Sequence, residues 1–269
     1  MIPPVVVLSG WAMPVSVLKP LMDKLANHVT VTGLSLPGIN DFVQYDKPVR
    51  SEALFQTDHV GCGQKSDPND ELVTWPMLAR YLDNYLPEYP AVLVGWSFGG
   101  TLVIRYAASH PEKVAGVVTM ATNPSFVRCK QWPSAMNPPV FEHFCEQFVQ
   151  NPTSTLKRFA RMCSEGSQFP LQIAHVIKQV WQQTQLDKSL LDRLQRFLGM
   201  ADVTASLASL RCPVSHLLGC NDVLVPAEVN KFIKQNYPEH HVSLTRGGHA
   251  FCMENPQWAA AQVLSLCSR

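Results

Sequence analysis

Ala91-Val92-Leu93-Val94-Gly95-Trp96-Ser97-Phe98-Gly99-Gly100 is the stretch that decides how this chain reads. Four apolar residues spell a short buried strand, Gly95 stops it, and a helical pattern follows over 101–109. A serine with glycines two residues before and two after, set between strand and helix, forms a nucleophile elbow. The reason is steric. The serine sits on a tight, strained turn where larger neighbours would clash, so glycines leave room for the backbone. Its hydroxyl then stands above a sheet, beside a helix N-terminus whose dipole favours negative charge. The plainer alternative is a glycine-rich helix start indifferent to Ser97. A phosphate loop is excluded, because no Gly-Lys-Ser/Thr follows.

Working outward, β-branched runs alternate with helical stretches. Strands are predicted at 5–8, 29–32, 91–94, 114–119, 213–218 and 241–244, and helices at 15–25, 74–85, 101–109, 227–236 and 256–266. That alternation predicts an α/β fold, a mainly parallel central sheet flanked by helices. Two regions break it. Residues 39–73 are polar and irregular, long for a connection, and read as a surface excursion. Residues 126–200 have almost no β-branched runs. There Leu156, Phe159 and Met162, then Leu190, Leu191, Leu194 and Leu198, keep helical spacing. This is expected to be a helical cap inserted into a core formed by 1–125 and 201–269.

A serine hydroxyl needs a base, and the base needs an orienting acid. The elbow predicts the chain order Ser, acid, His. Gly247-Gly248-His249-Ala250-Phe251 follows the last strand and precedes the last helix, which makes His249 the expected base. His240 and His241 are nearby rivals. The acid belongs just after the preceding strand, where Gly219-Cys220-Asn221-Asp222 places Asp222; a turn or N-cap role is the plain alternative. Asp202 precedes the strand and ranks second. An oxyanion needs two backbone donors. One is expected from Phe98, the other from the loop after the first strand, Ser9-Gly10-Trp11-Ala12, with Trp11 the best candidate.

Composition bounds the function. The 269 residues are 46% hydrophobic, enough for a full core without disulfide or metal staples. A net charge of +1 excludes a globally basic nucleic-acid coat. No apolar run reaches membrane-spanning length, and the N-terminus lacks a basic leader, so a cytoplasmic chain with reduced thiols at its eight cysteines is expected. His59 and Cys62 have no matching second pair of metal ligands, so no metal is expected. No dinucleotide fingerprint appears, so no cofactor is expected either.

Along most of its length the chain resembles the α/β-hydrolase superfamily. The resemblance is closest to the carboxylesterases of biotin synthesis that demethylate pimeloyl-acyl-carrier-protein methyl ester. It is carried by Gly10-Trp11, Leu36-Pro37-Gly38, Gly95-Trp96-Ser97-Phe98-Gly99-Gly100, Trp132-Pro133, Asp222-x-Leu224-Val225-Pro226 and Gly248-His249-Ala250. The resemblance implies that Ser97 attacks a methyl ester, with His249 as base and Asp222 as acid. It implies that Trp11, Trp96, Phe144 and Phe148 bind the acyl chain, although rings of this kind also simply pack. It implies a transient acyl carrier protein partner and a monomeric enzyme. Ser9-Gly10 stands where the family often has His-Gly, which a backbone donor does not need. The family's Leu-Pro-Gly-x-Gly-x-Ser departs after Gly38, and the first strand looks like the fold's third. A short-chain esterase or C–C bond hydrolase using the same three residues is the alternative activity.

Split by segment, the charge is uneven. Residues 126–200 carry nine basic and five acidic side chains, +4, which leaves −3 for the rest. Lys157, Arg158 and Arg161 are the expected docking residues for an acidic carrier. An ordinary solvated helix face is the alternative.

Overall fold

The computed structural model describes residues 2–45, 72–130 and 132–268. Seven strands form one sheet in the order β3-β2-β1-β4-β5-β6-β7. They are β1 Val5–Leu8, β2 Val31–Leu34, β3 Phe42–Tyr45, β4 Ala91–Trp96, β5 Val114–Met120, β6 Val214–Gly219 and β7 His241–Thr245. All neighbours run parallel except β2 and β3. Every residue of β1, β4 and β6 is buried, which is why these strands read as unbroken apolar runs. The edge strand β7 is half-exposed.

The helices are α1 Lys19–Ala26, α2 Trp75–Asp83, α3 Phe98–Ser109, α4 Pro138–Gln150, α5 Pro152–Ser164, α6 Pro170–Gln183, α7 Lys188–Met200, α8 Thr204–Ala208, α9 Val229–Asn236, α10 Phe251–Glu254 and α11 Pro256–Cys267. Several start on a side-chain cap followed by proline. Asn151 and Asn255 each accept a backbone N–H ahead of Pro152 and Pro256, and Thr74 does the same ahead of Trp75-Pro76. Among the described residues no helix is long and apolar enough to cross a membrane.

The sheet reverses direction of growth between β1 and β4. From β1 the chain adds β2 and β3 on one side, then returns to add β4 to β7 on the other. At such a switch point the loops leaving the strand ends diverge and open a crevice. Leu8 pairs with Gly95 at the carboxyl ends, so the Ser9–Ala12 loop and Ser97 leave the sheet side by side.

Five helices, α4 to α8, come between β5 and β6, and α4 to α7 form the inserted helical segment. Their inner stripe is the one the spacing predicts, with Leu156, Phe159, Leu191, Leu194 and Leu198 buried. They bond back onto the strand-end loops. Trp11 Nε1 donates to Leu191 O at 2.7 Å, Trp181 Nε1 to Ala12 O at 2.6 Å, and Ala250 N to Cys163 O at 3.1 Å.

Three expectations need correction. The second strand is Val31–Leu34, not 29–32, because its pairing with β1 begins at Val5 opposite Val31. The start of the supposedly irregular 39–73 region contains β3, which pairs antiparallel with β2 from Leu34 opposite Phe42. Residues 46–71 of that region, His59 and Cys62 among them, lie outside the described residues. The helix expected at 101 begins at Phe98, one residue after the serine.

Candidate active site

Ser97 has φ 56° and ψ −120°, a conformation rare for a residue with a Cβ. Packing holds it there. A Cβ on Gly95 would lie 2.4 Å from Gly100 Cα, and one on Gly100 would lie 1.9 Å from Thr122 Oγ1. Strand and helix therefore approach as closely as bare glycine backbone permits. Ser97 N donates to Met120 O at 2.8 Å, and Thr122 Oγ1 donates to Ser97 O at 3.1 Å. Thus the last residue of β5 and the loop just after it pin both peptide groups of the turn.

The β1 loop closes over the serine. A Cβ on Gly10 would sit 3.1 Å from Ser97 Cβ and 3.6 Å from its Oγ. The backbone amides of Trp11 and Phe98 donate to no other backbone group among the described residues. Two main-chain donors are thus free near the serine, where an oxyanion can use them.

Asp222 divides its two oxygens. Oδ1 accepts the amides of Leu224 at 2.8 Å and Val225 at 3.0 Å, and Oδ2 holds His249 Nδ1 at 2.9 Å. The turn contacts and a contact to His249, expected as alternatives, occur together, one per oxygen. Both side chains are buried. A carboxylate on Nδ1 leaves Nε2 as the outward nitrogen of His249. The two loops are also joined by backbone bonds, Cys220 N to Thr245 O at 2.9 Å and Asn221 N to Gly247 O at 3.0 Å. Trp96 Nε1 donates to His249 O at 2.9 Å, linking the histidine's backbone to the residue before Ser97.

The rivals lie elsewhere. His240 pairs with His216 at 3.2 Å, and His241 bonds Ser243 on the outer strand. Asp202 Oδ1 accepts Thr204 N at 2.9 Å, an ordinary helix-start bond.

A mainly apolar pocket opens from Ser97 beneath α4, α5 and α7. Trp11, Phe144 and Phe159 line it. Trp96 and Phe148, expected to bind acyl chain, do not line it. The Trp96 ring packs 5.7 Å from the His249 ring, and Phe148 packs edge-on against Trp11 at 5.1 Å. Sequence alone does not say which way a buried ring points. Phe126, Met136, Phe141 and Leu198 also line the cavity and were missed; only the helical stripe containing Leu198 hinted at them. Trp132 donates its indole N–H to Asn123, fixing the chain where it leaves β5 for α4.

Lys157, Arg158 and Arg161 are all exposed on α5. None forms an ion pair with an acidic group among the described residues. Arg158 also lines the cavity, so one of the three reaches its rim. Two polar residues stand in the otherwise apolar wall besides Ser97, namely Arg158 and Gln195, and Gln195 was not anticipated. The seven cysteines among the described residues are free, and no metal-ligand cluster is found among those residues.

The chain is 28% identical over 270 residues to the "Biotin biosynthesis bifunctional protein BioHC" of Cellvibrio japonicus (strain Ueda107), covering 97% of this chain but 47% of that protein. The chain therefore spans about half the length of this bifunctional relative. It is 26% identical over 264 residues to the "Pimeloyl-[acyl-carrier protein] methyl ester esterase" of Proteus mirabilis (strain HI4320), covering 97% of this chain and 91% of that one. Among solved structures, an esterase (EaEST) from Exiguobacterium antarcticum superposes with TM-score 0.77 at 16% identity, over 99% of this chain and 92% of that chain. That likeness speaks for the fold. The family model described as "Alpha/beta hydrolase family" matches residues 5–262, and the chain belongs to that family.

Proposed function

We propose that this chain is a serine carboxylesterase that removes the methyl group from a pimeloyl-acyl-carrier-protein methyl ester. The ester hydrolase class rests on the family and on the esterase names of its relatives. The observation that carries the residue assignment is the buried Asp222–His249 bond at 2.9 Å, tied through Trp96 to the residue before a strained serine that lines an apolar pocket.

In this reading His249 Nε2 takes the Ser97 proton as Oγ attacks the methyl ester carbonyl. The Trp11 and Phe98 amides receive the oxyanion. Collapse passes the proton to the leaving oxygen and releases methanol, leaving an acyl ester on Ser97. His249 then deprotonates water, which attacks that ester. Ser97 regains its proton and the free carboxylate departs. Asp222 keeps Nδ1 as the donor and stabilises the imidazolium throughout. The apolar wall suits a polymethylene chain. Residues 126–200 act as the cap over this chain, and the exposed cations of α5 meet an acidic carrier. The enzyme works as a monomer in the cytoplasm.

Expression of the gene in cells lacking their own pimeloyl-ester esterase tests this. Growth without biotin is expected from the wild type and not from Ser97→Ala. If the wild type fails to restore growth while hydrolysing small esters well, the short-chain esterase alternative takes its place.

A further inference from the structure

Gln195 is the one neutral amide in the cavity wall. Its side chain is buried on α7, with 1% of the residue exposed. Nε2 donates to Asp192 Oδ1 at 2.8 Å. The other carboxylate oxygen of Asp192 accepts Arg196 Nε at 3.0 Å, which holds the carboxylate in place. Gln195 Oε1 is buried and accepts no hydrogen bond. Turning the amide over would set Oε1 against a carboxylate, so the anchored nitrogen fixes the oxygen as the free end. A buried, unsatisfied acceptor in an apolar wall is costly, and a site built this way discriminates by leaving it unpaired.

We propose that Gln195 is a specificity residue that accepts a hydrogen bond from a neutral N–H or O–H donor on the bound ester. This rests on the reading of Ser97 as the nucleophile of that cavity. The same donor chemistry has two sources. One is the amide N–H of a pantetheine-type thioester arm beyond the acyl chain. The other is a hydroxyl on the acyl chain itself. A wholly apolar ester would bury Oε1 without a partner. Arg158 at the rim is a donor and cannot play this part.

The test uses the purified full chain and two matched ester pairs. The first pair is the methyl ester of pimelate joined as a thioester either to N-acetylcysteamine, which carries the amide N–H, or to an alkanethiol of similar length. The second is a series of p-nitrophenyl ω-hydroxyalkanoates against plain alkanoates of equal length. In the wild type the donor-bearing member of one pair is expected to show a kcat/KM at least about tenfold higher. The pair that does so identifies the source. Gln195→Leu is expected to bring that ratio close to one, with Gln195→Met as a second variant and circular dichroism as the check on folding. A wild-type ratio near one in both pairs, or a ratio unchanged in both variants, overturns the proposal. In either case Ser97-dependent hydrolysis would leave the reading of the site intact. Hydrolysis that survives Ser97→Ala would instead remove the reading and this inference with it.

Discussion

Ser97 is held at φ 56° by contacts that have no other evident purpose. Its turn is squeezed between glycines and pinned by Met120 O and Thr122 Oγ1. Strain kept in this way is expected where a side chain must be presented rather than packed. Ser97→Ala is expected to leave the fold unchanged and to lower kcat by at least about 10⁴-fold on any ester the protein hydrolyses. Asp222→Asn separates the two duties of the acid. Oδ1 can still accept the Leu224 and Val225 amides, but an NH₂ then faces His249 Nδ1. A thermal midpoint close to wild type with kcat reduced roughly 10⁴-fold is the expected pair of results. A large loss of stability with little loss of rate would make Asp222 a turn residue only. At this scale Ser97, Asp222 and His249 were legible because each lies in a local motif at a strand end. Gln195 was not, because a glutamine in an amphipathic helix reads as solvated, and nothing local reveals the cavity beside it. The rings of Trp96 and Phe148 lie outside the pocket wall for a related reason. Burial was readable, but direction depends on tertiary packing.

At the scale of elements, the approach of α3 to β4 and β5 carries the elbow. Gly100→Ala would drive a methyl into Thr122, and overpacking of that kind costs about 1–3 kcal/mol. Chemical denaturation should show that loss, and activity should fall with it if the turn shifts. Helix α5 supports a separate expectation. Its exposed Lys157, Arg158 and Arg161 have no acidic partners among the described residues. Double reversal, Arg158→Glu with Arg161→Glu, should slow hydrolysis of a carrier-bound ester several-fold, and more at low salt, because steering is screened by ions. A small ester should feel less of it. Equal losses on both substrates would indicate damage to the helix rather than lost attraction. Strands buried on both faces were easy to read as apolar runs. Edge strand β3 was not, since Phe42 is exposed and pairing with β2 supplies its order.

For the whole molecule, the near-zero net charge conceals a basic segment between β5 and β6 over a slightly acidic remainder. A second global property comes from a buried chain in the β5–β6–β7 half of the sheet. Thr119 Oγ1 bonds His216 Nδ1 at 2.7 Å, and His216 Nε2 meets His240 Nδ1 at 3.2 Å. Burial, with a smaller push from His240, lowers His216 from its ordinary 6.5 to about 3. Burial also lowers His240, partly offset by Glu239. The unfolded chain takes up these protons near pH 6.5 and the folded chain resists them. Stability is therefore complete above about pH 6.5 and lost as pH falls toward 3, at up to about 1.4 kcal/mol per pH unit for His216 alone. Urea melts between pH 7 and 4 should show this slope, and His216→Gln should flatten it by close to one proton. The charge split was legible in the sequence once it was divided by segment, whereas the histidine pair was not, since it depends on which segments the fold brings together.

The central claim is that Ser97, served by His249 and Asp222, cleaves a carrier-bound methyl ester. Its most direct measurement is the release of methanol from synthetic pimeloyl-acyl-carrier-protein methyl ester by the purified chain, followed with the mass of the carrier product. Demethylation with the thioester to the carrier intact is expected, and none by Ser97→Ala. A wild-type protein that leaves the methyl ester in place, or a Ser97→Ala protein that still removes it, would rule out Ser97-dependent demethylation of the carrier-bound ester.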